Sequence, residues 1–150
     1  MKREILVGVI GAATVVACLG GCSNNKSSTS SSNSGSPSAP KVTIDGQNQN
    51  ISGQVSCTPV GANISIAVGD ASNGVGAVVS NANPPVVHSV GLGNVNGVML
   101  GYADAAAGQG KAQATKNGST YQITGTATGI ATGNSQQPVT KPFEMDVTCP

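Results

Sequence analysis

From Lys41 to Pro150, apolar and polar residues alternate over short runs that Gly, Asn and Pro interrupt. A period of two puts every second side chain on one face of an extended chain, so the pattern predicts strands rather than helices. Ile51, Val55 and Cys57 fall on one face, with Gly53 between them, and Ile64, Ile66 and Val68 repeat the arrangement. Ala112 and Ala114 alternate with Lys111, Gln113 and Thr115. Tyr121, Ile123 and Ala127 are in phase, with Gly125 among them, and Phe143, Met145, Val147 and Cys149 close the chain in the same way. The prevalence of Thr, Val and Ile suits a pleated, half-buried surface. Strands at about 86–90 and 98–103 are expected to flank Gly91–Gly97, which reads as a tight, glycine-shaped connection. Over residues 74–79 a short helix competes with a strand, and Asn83-Pro84-Pro85 would terminate it. The predicted fold is therefore mainly β, an antiparallel β-sandwich or half-open barrel with at most one short helix.

Ahead of residue 41 the pattern changes twice. Lys2 and Arg3 precede a continuous apolar run from Ile5 to Leu19, which has the order of charges and apolar residues of an export signal. The run is short for a bilayer span, which takes about 20 apolar residues. The alternative, an uncleaved anchor, lacks a basic flank, because hydrophilic sequence starts directly after Cys22. Leu19-Gly20-Gly21-Cys22 has the form of a bacterial lipobox: cleavage falls between Gly21 and Cys22, and Cys22 takes the lipid. Val15-Val16-Ala17-Cys18 fits the pattern more loosely, but acylating Cys18 would leave Cys22 as an unpaired exported thiol. Acyl chains on Cys22 make a membrane the first expected partner and place the chain, exported and facing outward, on the cell envelope.

The domain organisation that follows is a signal peptide (1–21), a lipidated stalk (22–40) and a β domain (41–150). Half of the stalk from Ser23 to Pro40 is serine, and it holds one charge and no large apolar residue. Such a segment buries too little to offset the entropy of ordering, so a disordered spacer reaching roughly 20–25 Å is expected. Thr29 and the neighbouring Ser27, Ser28, Ser30, Ser31 and Ser32 are candidate O-glycosylation sites; a bare spacer is the alternative.

Charge and chemistry narrow the reading further. From Cys22 onward five lysines balance five acids, with no arginine. No basic stripe exists to neutralise phosphates, which argues against nucleic acid as a partner. With the signal removed, Cys57 and Cys149 form one even pair, each in phase with inward residues, and export makes oxidation expected. A metal site would need more ligands than two thiolates, so no cofactor is expected. His88, the single histidine, alternates with Val86 and Val90 and reads as a packed or edge residue rather than a general base. Glu144 and Asp146 share an outward face. The 91–97 stretch misses the dinucleotide fingerprint, and Gly108-Gln109-Gly110-Lys111 lacks a phosphate-loop spacing. No enzyme is indicated.

Several segments together carry a family resemblance. Lys41-Val42-Thr43-Ile44-Asp45-Gly46, Ser89-Val90-Gly91-Leu92-Gly93-Asn94-Val95-Asn96-Gly97, Tyr121-Gln122-Ile123-Thr124-Gly125-Thr126-Ala127-Thr128-Gly129 and Val147-Thr148-Cys149, with the signal and stalk, resemble the mycobacterial 19-kDa lipoprotein antigens. The stalk departs from them in carrying one Thr among many Ser. The resemblance implies an envelope lipoprotein acylated at Cys22, glycosylated in the stalk, and without established catalysis. It further implies a surface antigen and proposed adhesin whose acyl chains engage Toll-like receptor 2 of a host. A second reading, from the small inward residues, is a carrier holding an envelope lipid in a cavity of the β domain.

Overall fold

The computed structural model describes residues 38–70, 72–108, 110–131 and 137–150. The signal peptide, Gly21, Cys22 and the stalk residues Ser27 to Ser32 lie outside them. Ten strands follow in order: β1 Lys41–Ile44, β2 Gln47–Asn48, β3 Val55–Val60, β4 Asn63–Val68, β5 Val75–Ser80, β6 Val87–Val95, β7 Val98–Ala103, β8 Ala112–Asn117, β9 Thr120–Ala131 and β10 Pro138–Thr148. All pairings are antiparallel, and the strand order is β2-β1-β10-β9-β7-β6-β5-β4-β3, with β8 paired to β9.

The hairpins follow from local chemistry. Asp45-Gly46 and Asn96-Gly97 take positive φ at both positions (53° and 77°; 52° and 81°). That is the two-residue turn whose twist matches antiparallel strands, and Asp-Gly and Asn-Gly are its preferred sequences. Asn94 Oδ1 also accepts the Gly97 N–H at 2.9 Å.

The sheet curls into a half-barrel without pairing its two end strands. Inward residues of β4, β5 and β6 (Ile66, Val79, Val90) share one buried cluster with those of β1, β9 and β10 (Ile44, Ile123, Met145). Among the described residues the buried set holds no polar or charged side chain. The Cys57–Cys149 disulfide joins β3, at the end of the strand order, to the residue just beyond β10, with Cα atoms 5.7 Å apart. The expected pairing and the mainly β fold are thus both observed.

Strand β9 explains the distinctive 121–129 segment. One edge pairs with β10 throughout, while the other is divided between β8 (residues 120–125) and β7 (128–131). Where the partners change, side chains have no room: a Cβ on Gly125 would lie 2.2 Å from the Lys111 carbonyl oxygen, and one on Gly129 2.2 Å from that of Met99. Thr126 bridges the fork, its N–H donating to the Lys111 carbonyl (2.8 Å) and its Oγ1 accepting the Lys111 N–H (3.1 Å).

Two sequence expectations are corrected, and one that was open is settled. Residues 75–80 form a strand with Val75, Ala77 and Val79 buried, and no described residue is helical, so the strand holds over the short helix. The 91–97 stretch is mostly strand, because β6 runs to Val95 and only Asn96-Gly97 turns. Its glycines serve a register shift against β7 between Gly91 and Gly93. Finally, His88 does not share a face with Val86 and Val90. Val79 pairs with Val87 and Val78 with Ser89, so His88 is the extra residue of a bulge. Val87 and Val90 therefore both face inward while Val86 is 53% exposed.

Candidate functional site

The sequence-predicted functional residues do not converge on one centre. Cys22 and the stalk acceptors belong to the undescribed N-terminal part. What is described begins where the chain enters the β domain. Ser38, Ala39 and Pro40 line a hollow with Val55, Thr148 and Pro150, close in sequence to the disulfide residues Cys57 and Cys149. The crosslink thus sits near the point at which the described chain enters the β domain.

The other titratable groups are spread over the surface. His88 Nδ1 and Asp104 Oδ2 are 2.7 Å apart, both side chains more than a third exposed. The Asp104 N–H also donates to the His88 carbonyl at 2.9 Å, which fixes the pair to the end of β7. Lys141 Nζ pairs with Asp45 Oδ2 at 2.5 Å. Lys116 Nζ lies 5.2 Å from the ring centroid of the buried Tyr121, a cation–π contact at the rim of the core. Partial burial and the neighbouring Glu144 push the Asp146 carboxyl above its ordinary value, against the pull of Lys41. Among the described residues no three His, Cys, Asp or Glu side chains come together as a metal site.

The surface does contain one feature that sequence reasoning missed. A cleft of about 270 Å³ lies between the β4–β5 turn, the segment after β2 and the end of β6. Asn50, Asp70, Asn73 and Asn94 line it with Ile51, Leu92 and Val95. Asp70 Oδ1 accepts the Asn73 N–H (3.0 Å) and the Ser72 N–H (2.8 Å). Those two backbone bonds, Asn73's first, hold its carboxyl below the ordinary value. A second cleft of about 210 Å³ shares Gln49 and Val95 with the first and is bordered by the Asp45–Lys141 pair. The available signal was the clustering of Asn, Gln and Gly at 46–53, 69–74 and 91–97, which reads in sequence only as turn chemistry.

A disulfide-tied, all-antiparallel half-barrel behind a low-charge Ser-rich lead defines a small β module. The comparisons give it a family. Residues 33–149 match the family described as Mycobacterium 19 kDa lipoprotein antigen, and the chain belongs to it. It is 53% identical over 159 residues to lipoprotein LpqH of Mycobacterium tuberculosis, with 99% of each chain covered. It is 52% identical to lipoprotein LpqH of Mycobacterium avium and 31% identical to a putative lipoprotein of Mycobacteroides abscessus, again over 99% of each chain.

Proposed function

We propose that this protein is an envelope-anchored surface lipoprotein, in which Cys22 carries the membrane attachment and the recognition signal while the β domain is the displayed antigen and adhesive surface. The observation that carries the reading is Leu19-Gly20-Gly21-Cys22, at the end of an apolar run, in a chain of a lipoprotein family. Each buried CH₂ contributes about 0.8 kcal/mol, and one chain alone binds marginally, so a di- or triacylated cysteine meets the two-signal requirement for stable anchoring. The serine-rich stalk then holds the domain clear of the bilayer, exported and facing outward.

Acyl chains and the first few residues after Cys22 are the part that Toll-like receptor 2 senses in this reading. O-linked sugars at Thr29 and the serines around it would stiffen the spacer. The domain's contribution is a disulfide-tied displayed face without catalysis. The test compares wild type with Cys22→Ala for partitioning into detergent and for activation of cells bearing the receptor. The variant is expected in the aqueous phase and at background activation. Equal potency and equal partitioning of the two proteins would overturn the proposal.

A further inference from the structure

The groove described above is not needed for anchoring or for receptor sensing, and its chemistry is specific. We infer that it binds a neutral, hydroxyl-rich ligand, a short saccharide. Its side-chain amides at Asn50 and Asn73 make no hydrogen bond within the described residues, and each offers a donor beside an acceptor. That combination matches neighbouring hydroxyls, which also both donate and accept. Asp70 Oδ2 adds an ionised acceptor, held in place because Oδ1 is fixed by two backbone N–H groups. Ile51, Leu92 and Val95 supply an aliphatic floor for the C–H face of a sugar ring.

Charge selects among ligand classes. Asp45 is paired with Lys141, so Asp70 is the remaining ionised group of the groove, and an anion gains nothing there. A cation meets a single carboxylate already engaged by the backbone. An acyl chain meets a rim of amides that it would desolvate without compensation, which costs free energy. A neutral polyol satisfies those amides. The first cleft, about 270 Å³, shares Gln49 and Val95 with one of about 210 Å³ and lies near the lower end of small-molecule sites, about 300–1,000 Å³. That suits a mono- or disaccharide.

The groove is also built into the backbone rather than left by loose loops. The Gly91–Gly93 register shift, with Gly93 at φ 70°, re-aims the end of β6 so that Asn94 lines the cleft. Gly69 packs closely on two lining residues, where a Cβ would lie 3.0 Å from Ile51 Cγ2 and 3.2 Å from the Gly74 Cα. Asn50 itself is held at φ 47°. A preformed wall lowers the ordering cost of binding.

The experiment is an NMR titration of the full mature chain carrying Cys22→Ala, with neutral gluco-, manno-, galacto- and arabino-oligosaccharides. A sulfated oligosaccharide and a short-chain phospholipid are titrated alongside. Saturable shifts are expected at the amide signals of Asn50, Asn73 and Asn94 with at least one neutral saccharide. Asn50→Gly with Asn73→Ala, which keeps the left-handed backbone available, should weaken that binding about tenfold or more, as loss of two neutral hydrogen bonds predicts. Gln113→Ala, on β8, should leave it unchanged. Asn73→Ala alone, an exposed change, serves if the double variant does not fold, and should weaken binding severalfold. Shifts with only the sulfated sugar or only the phospholipid, no shift at all, or undiminished binding by the variants would overturn the inference. Because the titrated chain is unlipidated, failure here leaves the Cys22 reading untouched, and failure of that reading leaves this one untouched.

Discussion

Removing the Cys57–Cys149 crosslink tests the energetic logic of the whole half-barrel. The cysteines lie 92 positions apart, and loop-closure entropy for that separation corresponds to about 4.6 kcal/mol at 25 °C. A domain of this size has a net stability of roughly 5–15 kcal/mol, so the loss would take a large share of it. Local structure points the same way: β3 has one strand neighbour, β4, and its residues from Thr58 to Val60 are exposed. In Cys57→Ala/Cys149→Ala, the urea midpoint is expected to fall by about 2 M, taking a slope near 2 kcal/mol per M. Hydrogen exchange should show β3 losing protection before β9 and β10 do. A midpoint within about 0.5 M of wild type, or uniform loss of protection across all strands, would refute the view that the bond clamps an otherwise weakly held edge.

Three further outcomes follow from packing and charge. Ile123 is fully buried between the halves of the sheet, so Ile123→Ala should cost about 2–5 kcal/mol in thermal or urea unfolding; a cost below about 1 kcal/mol would contradict the packing described. Gly125→Ala forces a methyl against the Lys111 carbonyl and should cost about 1–3 kcal/mol, whereas Gly118→Ala, at an open turn position with φ 61°, should cost less. Asp146 is raised from its ordinary value of 3.8 by partial burial and Glu144, so the native state binds its proton more tightly than the unfolded chain does. Its contribution therefore favours folding below 3.8 and declines as pH rises through the higher native value. Asp146→Asn should stabilise the domain at pH 7, and unfolding curves for the two proteins should converge at pH 3.

Much of the fold was legible because alternation survives in the strands that make the core. Val68, Ile123, Met145 and Val147 lie where the period of two places them, and the disulfide followed from the phase of Cys57 and Cys149. Misreadings fell where one extra residue enters a ladder. The bulge at His88 inverts the phase within one strand, so Val87 and Val90 both point inward although they are three residues apart. No local propensity marks such an insertion; it is set by the registers of β5 and β6 together. The glycines of 91–97 misled for a related reason. Glycine signals a freed backbone, and a strand that must shift register uses that freedom as readily as a turn does.

The same distinction separates the two candidate sites. In the proposed reading, lipid attachment is directed by consecutive residues, so Leu19-Gly20-Gly21-Cys22 carries its meaning in sequence order alone. The groove instead draws Asn50, Asp70 and Asn94 from three segments that approach only after β2, the β4–β5 turn and β6 are brought together. Each of those residues has a local role that hides it: Asn94 caps a hairpin, Asp70 closes a turn, and Asn50 occupies a left-handed position. Turn-forming amides are abundant in any β protein. Their arrangement around one concavity, together with aliphatic side chains, is a property of the folded sheet. The family name describes a lipoprotein antigen, so the chemistry of the β domain is left to be read from three dimensions, and variants that keep the turns while deleting the amides are the ones that separate architecture from recognition.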